Sequence, residues 1–124
     1  EFVRNFIHIQ DVSSAFEFMI ENYDKHQGQI FNVGLSDTNI NKKQLVERIQ
    51  KQISNTSITY SDYFEDPDKR NYVVSNEKIE ATGWKPKYTL DDGITELIQA
   101  YKMIVPQESS RYRNAFPLSY GQSI

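Results

Sequence analysis

Cysteine is missing from all 124 residues, which excludes a disulfide framework, a thiol nucleophile and a thiolate metal site. Histidine occurs only as His8 and His26, and neither stands at helical i, i+4 spacing from the other or from a carboxylate, so zinc-binding spacing is absent. The glycines, at positions 28, 34, 83, 93 and 121, are isolated and form neither a phosphate-cradling loop nor a dinucleotide fingerprint. No G-x-S-x-G elbow occurs. The formal net charge of -3 comes from 14 basic and 17 acidic residues with no block of five or more like charges, which speaks against a nucleic-acid partner or a polybasic membrane patch. No apolar run approaches the ~18 residues of a membrane span, and no secretory signal pattern opens the chain, so a cytoplasmic location is expected. The acidic cluster Asp62, Glu65, Asp66 and Asp68 lacks the D-x-D-x-D-G spacing and closing glutamate of a calcium loop and reads as solvated.

What the chain does have is aromatic mass. Eight Tyr and seven Phe, within a hydrophobic content of 38%, suffice for one modest domain with a real core. Phe2 to Ile9 is rich in β-branched and aromatic residues and reads as a strand. Asp11 is placed to cap a helix with Val12, Ala15, Phe16, Met19 and Ile20 on one face. Gln29 to Val33 reads as a second strand, ended at Gly34 by a tight turn that Asn32 can pin. Asn41 caps a helix with Leu45, Val46, Ile49 and Ile53 inward, and Ser57 to Tyr60 reads as a strand. Asp62 to Arg70 is a loop. Tyr72 to Val74 forms a short strand with Tyr72 packed, and a short helix starts at Asn76 and stops at Gly83. Trp84 is a core anchor in an extended Trp84-Lys85-Pro86 stretch. Thr89 and Asp92 form a capping box for a last helix with Ile94, Leu97, Ile98, Tyr101 and Val105 in its stripe. Beyond Pro106 the chain reads as a weakly ordered tail, with Tyr112, Phe116 and Tyr120 available to dock it. His8 reads as a hydrogen-bonded core histidine and His26 as solvated surface in a turn. Glu1-Phe2-Val3, already strand-like and without an initiator Met, reads as the start of a cut fragment.

Five motifs in order carry a resemblance. Arg4-Asn5-Phe6-Ile7-His8-Ile9-Gln10-Asp11-Val12 resembles the R-D/N-F/Y-I-H-V-x-D-V signature of extended short-chain dehydrogenases acting on nucleotide sugars. Phe31-Asn32-Val33-Gly34 is similar to the F/Y-N-V/L-G strand end of that family, and Lys43 to Ile49 to its x-E-L-V-x-x-I helix. Asp68 to Tyr72, Lys78-Ile79 and Gly83 to Pro86 resemble D-x-R-x-Y, K-I and G-W-x-P. Leu90 to Ile98 resembles the final helix, L-x-D/E-G-I-x-x-L-I. The resemblance implies an α/β fold: the C-terminal lobe of an extended SDR (Rossmann-type) enzyme, with short strands alternating with helices. It divides the chain into a substrate-binding lobe, 1–105, and a tail, 106–124. It also implies an NAD(P)-dependent epimerase or dehydratase that transiently oxidises its sugar to a keto intermediate.

The catalytic Y-x-x-x-K pair and G-x-x-G-x-x-G loop of that family are absent here, since no Tyr has Lys four residues later. The pair matters because a nearby Lys and the cofactor lower the Tyr pKa, letting it shuttle a proton as hydride moves. NAD or NADP, with the catalytic residues, is therefore expected in the rest of a full-length parent and not on this chain. Such a fragment is inactive alone, and a homo-oligomer is expected.

Three residues are candidate substrate contacts. The resemblance implies that Arg4 meets the nucleotide-sugar diphosphate, for which a guanidinium fork is suited; an ion pair with Asp11 or an exposed strand charge is the alternative. Arg70 is the second candidate. Relatives carry R-P-G-x-D here, whereas this chain has Glu65-Asp66-Pro67-Asp68-Lys69-Arg70, so Arg70 reaches in from a displaced point or pairs with the loop carboxylates. Asn32 either orients substrate or holds its strand end. A free-standing α/β interaction or binding module without catalytic activity is the competing functional reading.

Overall fold

Val3–Asn5 forms strand β1, and its sheet partner comes from a segment that no strand pattern marks. The computed structural model describes residues 2–53, 56–59 and 70–103. Strand β2, Asn39–Asn41, pairs antiparallel with β1 in the register Val3 to Asn41, Arg4 to Ile40 and Asn5 to Asn39. Around this two-stranded sheet stand helices α1 (Ile9–Glu21), α2 (Tyr23–His26), α3 (Lys42–Gln52), α4 (Glu77–Glu80) and α5 (Leu90–Met103). No helix among the described residues is long and apolar enough to cross a membrane.

The core lies where α1 meets α4. Ala15, Ile79 and Trp84 are buried, and Ile7, Phe18, Met19 and Phe31 pack against them. Trp84 is the anchor its sequence context suggests, because its Nε1 also donates to Ser14 Oγ at 3.1 Å and so loses no hydrogen bond on burial. Gly83, at φ 101°, ends the turn after α4 in a conformation a side chain would strain. Thr38, just before β2, is fully buried and bonds to the residue just after β1: its Oγ1 takes the Phe6 N–H at 3.3 Å and lies 2.5 Å from Phe6 O.

Two helix starts match their sequence signals. Asn41 Oδ1 accepts the Gln44 N–H at 2.9 Å, and Gln44 Oε1 accepts the Asn41 N–H at 2.9 Å. At α5, Asp92 Oδ2 accepts the Thr89 N–H at 2.8 Å and Thr89 Oγ1 accepts the Asp92 N–H at 3.2 Å. Each pair satisfies donors that a helix end leaves unpaired.

Elsewhere the structure corrects the sequence. Strand β1 stops at Asn5, and α1 begins at Ile9, inside the expected strand. His8, not Asp11, caps α1: its Nδ1 accepts the Gln10 N–H at 3.2 Å, a job few ring nitrogens are expected to do. Gln29 to Val33 forms no strand, and neither do residues 57–59 or Tyr72 to Val74. A strand needs a ladder partner, which composition does not supply. The 29–33 segment is held by side chains instead. Lys78 Nζ donates to Ile30 O at 2.9 Å and sits 4.6 Å from the Phe31 ring centroid. His26 is half-buried between Phe18 and Phe31, not solvated, because α2 folds it back onto them. On α1 only Ala15 of the expected stripe is fully buried, while Phe16 and Ile20 are exposed. Tyr60, residues 62–69 of the expected loop with its acidic cluster, Val105 and the tail lie outside the described residues.

Candidate functional site

Arg4 sits at the middle of β1, opposite Ile40, where the ladder fixes its backbone. On the other edge of β1 runs the segment 70–74. Tyr72 N donates to Val3 O at 3.0 Å, and Asn71 Oδ1 accepts the Val3 N–H at 2.9 Å. Two residues on, Asn39 Oδ1 accepts the Val74 N–H at 2.9 Å and Asn39 Nδ2 donates to Val74 O at 2.9 Å. The Val3 bonds give β1 a second neighbour without a third regular strand, and the Asn39 bonds tie the same segment to β2.

The consequence is a cluster of two cations on one ring. The Arg4 guanidinium lies 4.9 Å from the Tyr72 ring centroid, and the Arg70 guanidinium 5.3 Å from the same centroid. Arg4 Nη1 also donates to Val3 O at 2.9 Å and to Arg70 O at 2.5 Å, which ties the side chain to the two backbones that carry the site. An aromatic face attracts guanidinium through its quadrupole, so Tyr72 offsets part of the repulsion between two like charges held this close. Tyr72 is 38% exposed rather than packed. Guanidinium forks are of a kind that suits an anion with several acceptor oxygens.

Sequence reasoning named Arg4 and Arg70 but missed the tyrosine that joins them. The signal was the spacing Arg70-x-Tyr72, which in an extended segment puts both side chains on one side. Asn32 is placed differently. Its Nδ2 donates to Ser75 O at 3.4 Å, so it helps hold the 29–33 segment to the approach of α4.

The alternative pairing of Arg4 with Asp11 finds no support, because both Asp11 oxygens are committed elsewhere. Asp11 is 1% exposed, and its Oδ1 and Oδ2 accept the Lys87 and Tyr88 N–H groups at 2.9 and 3.0 Å. A carboxylate taking two backbone donors is well compensated for burial. His8 completes this corner, with Nε2 2.9 Å from Glu96 Oε2 and its ring stacked on Tyr88 at 4.4 Å. Asp11 and His8 therefore join the first motif to the segment after Trp84. Gly34 joins it to another. A Cβ at Gly34 would overlap the Asn5 carboxamide, whose Oδ1 accepts the Leu35 N–H at 3.1 Å and whose Nδ2 donates to Leu35 O at 2.8 Å.

The described glycines do not fit a dinucleotide cradle. Gly28 and Gly83 serve turns at positive φ, Gly34 gives way to Asn5, and Gly93 lies within α5 facing His8. No step through a nicotinamide cofactor is therefore derived from these residues.

No protein-family model matches the chain. It is 29% identical to a rice "UDP-D-apiose/UDP-D-xylose synthase", over 87% of this chain and 32% of that protein. It is 33% identical to the Escherichia coli "dTDP-4-dehydro-6-deoxyglucose reductase", over 80% and 31%, and 30% identical to the mouse "dTDP-D-glucose 4,6-dehydratase", over 80% and 29%. The chain thus spans about a third of the length of the curated relatives it matches. A pair of guanidiniums on one tyrosine ring, and motif residues whose contacts knit the chain together, belong to a segment homologous to part of the extended short-chain dehydrogenase/reductase enzymes.

Proposed function

We propose that the chain is the C-terminal, substrate-binding lobe of an NAD(P)-dependent nucleotide-sugar epimerase or dehydratase, residues 1–105, followed by a tail over 106–124. The convergence of Arg4 and Arg70 on Tyr72 carries the reading. In it the two guanidiniums clamp the diphosphate of a nucleotide sugar. Asn32 acts on the substrate only through the loop it steadies. The names of the relatives support a UDP- or dTDP-linked sugar. The Rossmann-type half, with NAD or NADP and the Tyr-x-x-x-Lys pair, belongs to the rest of a full-length parent. The chain alone binds part of the substrate and turns nothing over.

Titration calorimetry with UDP-, GDP- and dTDP-sugars tests the clamp. Arg4→Ala weakens binding by roughly 1.5–3 kcal/mol, the range for a hydrogen bond to a charged group, or about tenfold to hundredfold in Kd. Arg4→Lys recovers part of this, since an ammonium lacks the planar fork. Arg70→Ala costs less than Arg4→Ala. In the full-length parent, an Arg4→Ala variant that stays folded and binds as well as wild type sinks the diphosphate role. Turnover of a nucleotide sugar by the chain with added NAD sinks the expectation of inactivity.

A further inference from the structure

Helix α1 is capped by a ring that can take up a proton. His8 Nδ1 accepts the Gln10 N–H at 3.2 Å, so that nitrogen presents a lone pair and no hydrogen. The other nitrogen, Nε2, lies 2.9 Å from Glu96 Oε2 on α5. A carboxylate only accepts, so the hydrogen of the neutral ring belongs on Nε2. The ring is confined on its remaining sides. It stacks on Tyr88 at 4.4 Å, and its side chain is 6% exposed. Gly93 on α5 makes room for it, since a Cβ there would stand 3.3 Å from His8 Cδ2. Serine, threonine and asparagine, the usual caps, keep their acceptor at every pH, whereas a histidine loses its acceptor on protonation near neutrality.

We propose that His8 is a proton-operated latch between α1 and α5. Neutral, it serves both helices at once, accepting from Gln10 and donating to Glu96. Protonated, its Nδ1 gains a hydrogen that faces the Gln10 N–H, and two opposed donors release the first turn of α1. The bond from Nε2 to Glu96 becomes an ion pair at the same moment and keeps the ring on α5. The helix dipole acts in the same direction, because a cation at the start of α1 meets its positive end. One proton thus exchanges a bond to α1 for a stronger bond to α5.

The groups around the ring are few. Among the described residues, Glu96 and Asp92 face it from α5, and Tyr88 covers it from the segment before that helix. The Thr89 hydroxyl and then the Thr89 N–H lower the Asp92 carboxyl most, and a charge on His8 adds to them. Asp11, in the first turn of α1, spends its two oxygens on the Lys87 and Tyr88 N–H groups. Arg48 of α3 reaches toward Asp91, at 3.9 Å. Glu96 is therefore the carboxylate bonded to the ring, and it is the natural counter-charge for the protonated form.

Two-bond nitrogen–proton spectra of the isotope-labelled chain read the tautomer, and the neutral His8 ring carries its hydrogen on Nε2. As acid titrates the His8 ring signals, exchange of the Gln10 amide, normalised to its intrinsic rate, speeds about fivefold along the same curve. That factor is the equivalent of the ~1 kcal/mol of a lost cap. In His8→Asn, whose carboxamide caps at every pH, the rise vanishes while the buried Trp84 keeps its native fluorescence. In Glu96→Gln, which keeps an acceptor for the Nε2 hydrogen but removes the counter-charge, the rise sets in at lower pH. A neutral ring with its hydrogen on Nδ1 overturns the proposal. So does a Gln10 rate that ignores the His8 titration or follows that of His26, a rise that survives in folded His8→Asn, or one that Glu96→Gln does not move. If His8→Asn fails to fold, the tautomer and the Gln10 curve of the wild-type chain decide alone.

Discussion

At Gly34 one missing methyl group lets two motifs touch. The sequence marks this residue as a turn, but among the described glycines only Gly28 and Gly83 have positive φ. The need at Gly34 is spatial: the Asn5 carboxamide occupies the place of a Cβ while it bonds to both backbone groups of Leu35. Gly34→Ala is therefore expected to cost about 1–3 kcal/mol, the usual toll of overpacking. Asn5→Ala in the same chain should recover part of that loss, since it removes the atoms in the way. Urea unfolding of both single variants and the double closes the cycle, and a coupling near zero refutes the clash. Sequence alone does not show such a dependence, because the partners stand about thirty residues apart and neither residue type is unusual where it stands. Arg4 and Arg70 stood out as candidates because guanidinium chemistry is carried by the residue itself. Tyr72 did not, because its role depends on what surrounds its ring.

Helix ends were the most legible elements, and strands the least. Asn41 and the Thr89–Asp92 pair announce themselves because capping is a local act completed within four residues. Asn41→Ala should lower stability by roughly 1 kcal/mol, read as a shift in the urea midpoint at constant slope. The Thr89–Asp92 box adds a pH dependence. The hydrogen bond from the Thr89 hydroxyl, then that from its backbone N–H, holds the Asp92 carboxyl below its ordinary 3.8. A carboxyl lowered on folding stabilises above its unfolded value and loses that contribution as pH falls through the folded one. The start of α5 should accordingly fray below about pH 3.8, and Asp92→Asn should flatten that acid limb in a helicity titration. Strand β2 escaped notice because Asn39-Ile40-Asn41 has a single apolar residue, and only the ladder with β1 makes it a strand. Gln29 to Val33 misled for the opposite reason, having the composition of a strand without a regular ladder among the described residues.

Across the whole molecule the apolar surface is unevenly covered. Ile9, Phe16, Ile20 and Tyr23 are each more than 60% exposed and recur along α1 and into α2 at spacings that keep them on one side. We expect the isolated chain to self-associate through this stripe, and light scattering at rising concentration should show it. Phe16→Glu combined with Ile20→Lys should restore a monodisperse monomer with the same helicity; a wild-type chain that is already monodisperse refutes the expectation. The buried Asp11 carboxylate has a different consequence, which concerns time. Its donors, Lys87 and Tyr88, lie 76 and 77 residues further along the chain. A ribosome adding ~5–20 residues each second takes roughly 4–15 s to make that stretch. Through that interval Asp11 stays a hydrated anion, and the corner that joins His8, Tyr88 and Trp84 to the first motif cannot form. The motif around Asp11 is thus synthesised well before it can be locked, so a nascent chain paused before Lys87 would present it open to proteases and chaperones.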